Sequence, residues 1–334
     1  MKTILDLNYR KIVLLLMVMF AVPAIAQEEG EKKKISVSGS VDAYYQSYLS
    51  ASDDMGQSFG TSFAGDSGFA LGMANIVGTY EGEKTGVVAD IAFGPRGDDA
   101  TGGFNINQLY AYLNVSESTT LTLGRFNTFL GYEVISPTGN FNYSTSWLFS
   151  SGPFSHVGLK ADFALSEKVS LMLAFMNVTD VNQNLTGAYS LGAQLGVAGQ
   201  YLNFYYDDGE ALGFEIDYTG GFDLSDSIYF GVNAAYADND GEGFYGVALY
   251  PQVSLSDSFG LGLRGEYFSQ VSDLMTDEPS VFGLTLTGSY SLENLTIKPE
   301  IRLDSWSDDE PFLDSDGMAS DKLSSFLIGA VYAF

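Results

Sequence analysis

Four ionisable side chains stand at every second position of one short stretch: Lys298, Glu300, Arg302 and Asp304. Apolar residues separate them, and Leu295, Ile297, Pro299, Ile301 and Leu303 share the other parity. On an extended chain such charges lie about 7 Å apart on one face. That face suits two chemistries. Ionised groups lining a wet passage select among ions; the same groups in a narrow space must pair. The pattern recurs. Asp42, Asp90, Asp162, Glu215, Asp217 and Glu266, with Lys160 and Arg264, hold the polar parity of their own alternating stretches. A transport role and a structural ladder of ion pairs both stay open. Arg125 breaks the rule by sharing parity with Leu121 and Leu123. It is expected at a rim or beyond a bulge, because lipid exposure of Arg near the midplane is costly.

Catalysis has thin support. His156 is the single histidine. Ser155, Ser150 and Asn142 are near it in sequence, and barrel lipases combine His, Ser and Asn, but no spacing fixes a geometry. An enzyme is not expected, and no cofactor is implied. Oxygen-rich clusters such as Asp238, Asp240 and Glu242, or Asp314 and Asp316, carry the donors that calcium or magnesium prefer. They lack a complete twelve-residue calcium loop, so they stand as weak metal candidates beside the plainer reading of solvated loops. The net charge of −27 argues against nucleic acid as a partner. The chain has no cysteine, hence no disulfide or thiolate metal site.

The elements that position these groups follow a period of two. Val157, Leu159, Ala161, Phe163 and Leu165 alternate with His156, Gly158, Lys160, Asp162 and Ala164. A strand segregates such residues to two faces, whereas a helix scatters them. About sixteen strands can be read between residues 35 and 334, with fourteen as the alternative; 190–206 reads either as two strands or as one long irregular strand, and an even count favours two. Every second connection is tiny, as at Gly82-Glu83 and Leu292-Glu293-Asn294, and several are built from Ser and an acid, as at Ser116-Glu117-Ser118, Ser166-Glu167 and Ser256-Asp257. Short hydroxyl side chains bond the local backbone in such turns. The alternate connections, near 50–66, 95–102, 127–153, 178–187, 207–210, 238–242, 271–279 and 306–321, are mostly longer and acidic. Short turns at one end and long loops at the other describe an all-β, transmembrane, antiparallel up-and-down barrel of the outer membrane.

The two chain ends agree with that reading. Residues 1–26 have a basic start (Lys2, Arg10, Lys11), an apolar run from Ile12 to Phe20, and Ala24-Ile25-Ala26. This is the pattern of a cleaved signal peptide. A short periplasmic segment, 27–34, then leads into the barrel, 35–334. At the other end Phe326, Ile328, Ala330, Tyr332 and Phe334 share one parity. A terminal strand of this kind can pair edge to edge with a receptor sheet, and these residues are candidates for the signal read by the barrel-assembly machinery.

The middle of the chain resembles a known family. Asn105-Ile106-Asn107-Gln108-Leu109-Tyr110-Ala111-Tyr112 is followed by Leu123-Gly124-Arg125-Phe126 and Gly131-Tyr132-Glu133-Val134-Ile135. Asn142-Tyr143-Ser144-Thr145-Ser146 and Leu148 to Gly158 come next. These segments resemble the OmpL-like beta-barrel porins of Bacteroidetes-type envelopes, most strongly over 35–165. The resemblance implies an outer-membrane channel and brings no catalytic residues.

Segment 127–153 is the third long loop. It is aromatic, with Phe129, Tyr132, Phe141, Tyr143, Trp147 and Phe149, and it carries one charge, Glu133. A long loop of that composition should bury itself. It is expected to fold inward and narrow or plug the lumen, with Glu133 on the pathway. The functional expectation is a porin for passive diffusion of small hydrophilic solutes, leaning towards cations. The alternatives are a surface barrel acting as adhesin or receptor through its acidic loops, and a barrel lipase. Expected partners are outer-membrane lipid and lipopolysaccharide, periplasmic chaperones and the assembly machinery, and the solutes. A homotrimer is compatible with this class, although no interface is legible.

Overall fold

The computed structural model describes residues 34–274 and 277–334. The signal peptide expected over 1–26 and all but Lys34 of the segment 27–34 lie outside the described residues. The chain forms a closed antiparallel barrel of sixteen strands in simple up-and-down order. They are β1 (Lys34–Tyr48), β2 (Gly68–Glu81), β3 (Thr85–Phe93), β4 (Ile106–Ser116), β5 (Thr119–Asn127), β6 (Ser155–Ala164), β7 (Val169–Asn177) and β8 (Tyr189–Val197). The second half comprises β9 (Gln200–Asp207), β10 (Phe214–Ser225), β11 (Ile228–Asn239), β12 (Glu242–Ser256), β13 (Phe259–Ser272), β14 (Ser280–Leu292) and β15 (Leu295–Ser307). A two-stranded hairpin, β16 (Phe312–Leu313) and β17 (Ala319–Ser320), precedes the last barrel strand, β18 (Lys322–Ala333). Among the described residues two short α-helices sit in connections: α1 (Pro95–Thr101) and α2 (Trp147–Ser151).

The turns explain the register. Ser116, Ser166, Ser225 and Ser256 each accept a backbone N–H two residues on through Oγ. Ala198 and Gly199 both have positive φ, 51° and 83°, as a two-residue mirror-image hairpin turn requires. Segment 190–206 is therefore two strands. The barrel closes where β1 meets β18, with Tyr45 opposite Ile328. Phe334 adds reciprocal backbone bonds to Gly39, each 3.0 Å.

Some loops are shorter or more ordered than their composition suggests. Connection 238–242 is mostly strand: β11 and β12 extend to a turn of Asp240 and Gly241. Segment 95–102 holds α1, opened by Pro95 and ended by Gly102 in the left-handed region, the terminal pair that favours a short helix. The 306–321 connection contains the β16–β17 hairpin.

Burial is inside out relative to a soluble protein. Leu123, Leu109, Leu191, Leu286 and Phe282 face outward and exposed, forming the apolar band that lipid covers. Neighbouring tyrosines split by parity. Tyr44 and Tyr205 are buried in the lumen, while Tyr45 and Tyr206 are exposed on the outer face. Inside, buried apolar clusters fill much of the outer half. In one, Trp147 of α2 meets Trp306 edge-on at 5.0 Å and stacks on Phe268 at 6.1 Å.

Candidate functional site: the barrel lumen and its third loop

The loop between β5 and β6 lies against lumen-facing residues on both sides of the barrel. Its grip on β13–β15 is built from charge. Glu133 and Arg264 form an ion pair at 2.9 Å, both buried. Arg264 Nη1 also donates to the Ser144 carbonyl at 2.7 Å, and its Nη2 to Ser144 Oγ and Thr285 Oγ1 at 3.1 Å. Glu266 accepts the Trp147 N–H at 2.8 Å and lies 3.5 Å from Arg264 Nε. Glu300 accepts the Tyr143 N–H at 2.9 Å, the Ser144 hydroxyl, and Thr287 Oγ1 at 2.9 Å. Asn142 Nδ2 donates to Thr287 at 2.7 Å. Arg302 holds Asp304 through two bonds of 2.8 and 3.0 Å and the Thr145 carbonyl at 3.1 Å. Asp304 in turn accepts Trp147 Nε1 at 2.7 Å. Lys298 donates to the carbonyls of Pro137 and Asn140.

Lys298, Glu300, Arg302 and Asp304 thus share the inner face, and only Arg302 and Asp304 pair with each other. The others grip the backbone or hydroxyls of the loop. Buried charges need such partners, because burial without them is costly.

The wall β9–β11 is different. Asp217 accepts the Gly131 N–H at 3.1 Å, Asn203 Nδ2 at 2.6 Å and Asn233 Nδ2. Glu215 is buried beside it, and its Oε2 has no hydrogen-bond partner among the described residues. No Lys or Arg occurs between Lys168 and Arg264. A closed apolar patch adjoins these acids: His156 stacks on Phe129 at 5.0 Å and on Tyr205 at 5.8 Å.

The wall β1–β4 adds a third contact. Asp42 accepts the Tyr143 hydroxyl and, at 3.0 Å, the Met73 N–H. Burial pushes the Tyr143 phenol well above its ordinary pKa, while Arg96 opposes that shift. Asp90 accepts Asn107 Nδ2 at 2.6 Å and Asn75 Nδ2 at 3.3 Å. Arg96 of α1 donates to the carbonyls of Tyr143 at 2.7 Å and Ile135 at 3.3 Å. Sequence reasoning gave Arg96 no role; Pro95 and Gly102 were the signal that a helix would fix it there.

The remaining candidates separate. Lys160 and Asp162 pair at 2.9 Å and stay partly exposed, with Lys160 5.6 Å from the Phe126 ring centroid. His156 Nε2 contacts Thr128 Oγ1 at 3.1 Å. Ser155 Oγ donates to Asp180, Ser150 Oγ to the Ser146 carbonyl, and Asn142 to Thr287, so Ser, His and Asn do not assemble as a catalytic group. Asp180, whose carboxyl burial shifts upward, anchors the loop's end through the N–H groups of Phe154 and Ser155. Arg125 lies near the outer end of β5, buried, with bonds to Asn107 O at 3.1 Å and Asn182 Oδ1 at 2.7 Å.

Asp314 accepts the N–H groups of Asp316 and Met318, each at 2.9 Å. Glu242 accepts the Ser272 hydroxyl at 2.6 Å, and Asp238 faces the Gly241 N–H at 3.5 Å across the turn that holds Asp240. Among the described residues no three carboxylate or imidazole groups converge as a metal site. Phe326, Ile328, Ala330, Tyr332 and Phe334 lie on one outward parity, with Ile328, Tyr332 and Phe334 exposed.

Cavities remain towards both ends of the barrel. One of about 350 Å³ lies towards the long-loop end, between the β1–β2 loop and α1. Another of about 710 Å³ lies towards the short turns and is lined by uncharged residues together with Lys298.

Comparison with known proteins agrees with this geometry. The family described as "Putative beta-barrel porin-2, OmpL-like" matches residues 34–334. The outer membrane channel DcaP of Acinetobacter baumannii is 14% identical, with a TM-score of 0.59, over 93% of this chain and 100% of that one. The anion-selective porin from Comamonas acidovorans is 13% identical, with a TM-score of 0.60, over 91% and 100%. A loop L8 deletion mutant of OmpT, an outer membrane protein of Vibrio cholerae, is 10% identical, with a TM-score of 0.57, over 91% and 100%. At these identities the likeness is one of fold. No curated protein sequence matches the chain.

Proposed function

This chain belongs to the OmpL-like beta-barrel porin family, and from that premise we propose that it passes small hydrophilic solutes passively across the outer membrane, narrowed by the β5–β6 loop and leaning towards cations. The observation that carries the reading is the pair of cavities towards opposite ends of a closed barrel, the inner one lined by the β5–β6 loop. The cation preference is supported by the outer loops. Asp53, Asp54, Asp208, Glu210, Asp308, Asp309 and Glu310 are exposed there, and a mouth of one sign concentrates counter-ions.

Planar-bilayer conductance under a salt gradient tests both parts. A current with a cation-directed reversal potential is expected. Absence of current removes the channel, while an anion-directed potential removes only the preference. The filled outer half of the lumen favours one rival, a surface barrel working through its acidic loops, and that rival predicts no current. The same reading has the outward parity of β18 and Phe334 serving assembly. Deleting Phe334 should then lower the yield of inserted barrel while leaving the conductance of the inserted fraction unchanged.

A further inference from the structure

We propose that the Tyr143 ring is the barrier between the two cavities, and that the solute path follows the wall formed by β15, β18, β1 and β2. This rests on the channel reading above.

The outer cavity is bounded by Tyr44, Phe63, Asp66, Gly72 and Arg96. The inner one is bounded by Asn140, Tyr229, Ser289, Lys298 and Val331. Strand register brings the two together at one level. Tyr44 and Lys298 both stand opposite Gly329, and Asp42 stands opposite Val331. Tyr143 occupies that level. It is fully buried, its hydroxyl donates to Asp42, and its ring lies 5.5 Å from Tyr44 and 4.8 Å from the Arg96 guanidinium.

Two glycines make its seat. A Cβ on Gly329 would strike the ring, and one on Gly72 would strike Asp42 and the Tyr143 hydroxyl. A side chain at either position would displace the tyrosine, so the groove suits its ring. The Tyr143 backbone is held from both sides, by Glu300 at its N–H and by Arg96 at its carbonyl. Its ring packs against wall residues of both spaces, Tyr44 and Arg96 of the outer one and Val331 of the inner one. On the opposite wall Phe129, Tyr205 and Met176 pack as one apolar cluster, on which His156 stacks.

The chain is free of cysteine, so single thiols can report access. Ser289→Cys places a thiol in the inner cavity. In proteoliposomes of known orientation, a membrane-impermeant thiol reagent is applied from one side and labelling is read by mass. With Tyr143 present, labelling from the periplasmic side should be several-fold faster than from the outside. With Tyr143→Ala the two rates should converge and bilayer conductance should rise. Tyr143→Phe keeps the ring and a near-native packing, and should preserve the asymmetry. Equal rates with Tyr143 present, loss of asymmetry in the Phe variant, or unchanged asymmetry in the Ala variant would each overturn the assignment. A wild type that passes no current while Tyr143→Ala does would support the barrier and remove the open-channel reading. A conducting wild type with symmetric labelling would leave the channel and remove Tyr143.

Discussion

The two long walls of the lumen hold the same loop by opposite means. On β13–β15, Arg264, Glu266, Glu300, Arg302 and Asp304 all bond to residues 133–147 of the loop. On β9–β11, Asp217 takes one loop N–H, that of Gly131. Glu215 beside it leaves an oxygen without a partner, and the nearby contact is aromatic stacking. The first wall fixes the loop by geometry, because each buried charge must keep its partner to remain tolerable. The second wall fixes it by shape, and its acids are near one another with no base on their strands. The loop is therefore anchored on one side and packed on the other. Substitutions of equal size should cost more on the anchored wall.

The largest effect is expected from Arg264→Met. It leaves Glu133 and Glu266 buried without their cation, and removal of one partner from such a pair costs about 3–5 kcal/mol. Urea unfolding of the reconstituted barrel should shift by that amount, and conductance should rise as residues 133–146 lose their hold. A variant as stable as the wild type would break the asymmetry. Trp147→Phe comes next. The ring packing on Trp306 and Phe268 is largely kept, but Asp304 loses the indole N–H. An unmet bond to a buried charge costs about 1–3 kcal/mol, read in the same unfolding assay.

Much of the barrel was legible because its signals are local. Alternation located the strands, Ser-acid turns located the short end, and inner-face residues such as Asp42, Asp90 and Glu300 follow from parity alone. What the charges hold was not legible. Lys298 bonds two loop carbonyls, and Glu300 bonds a loop N–H. Backbone groups are the same in every sequence, so an irregular loop shows none of its bonding in advance. Composition marked 127–153 as self-burying but could not separate Tyr143, which sits on Asp42, from Trp147, which sits on Asp304. The helix α1 was missed because its seven residues are too few to show a period. The absence of Lys and Arg between Lys168 and Arg264 was open to view, and it marks the wall where acids have no base beside them.

Two smaller effects sharpen the comparison from the acidic side. Asp217→Asn keeps an acceptor oxygen for two of its three donors while removing a charge from a wall that has no base. The lost bond and the relieved repulsion oppose each other, so a net loss of about 1 kcal/mol is expected, the size of a single net hydrogen bond. Glu215→Gln should be the mildest of the four. The substitution conserves shape and removes a charge that Asp217 repels, and the orphaned Oε2 has no bond to lose. Stability within about 1 kcal/mol of the wild type, or a gain, is therefore expected, since replacing a poorly satisfied buried ion by a neutral group of the same shape is often neutral or stabilising. A loss as large as that of Arg264→Met would mean that Glu215 meets a partner of its own, and that the second wall holds the loop by charge after all.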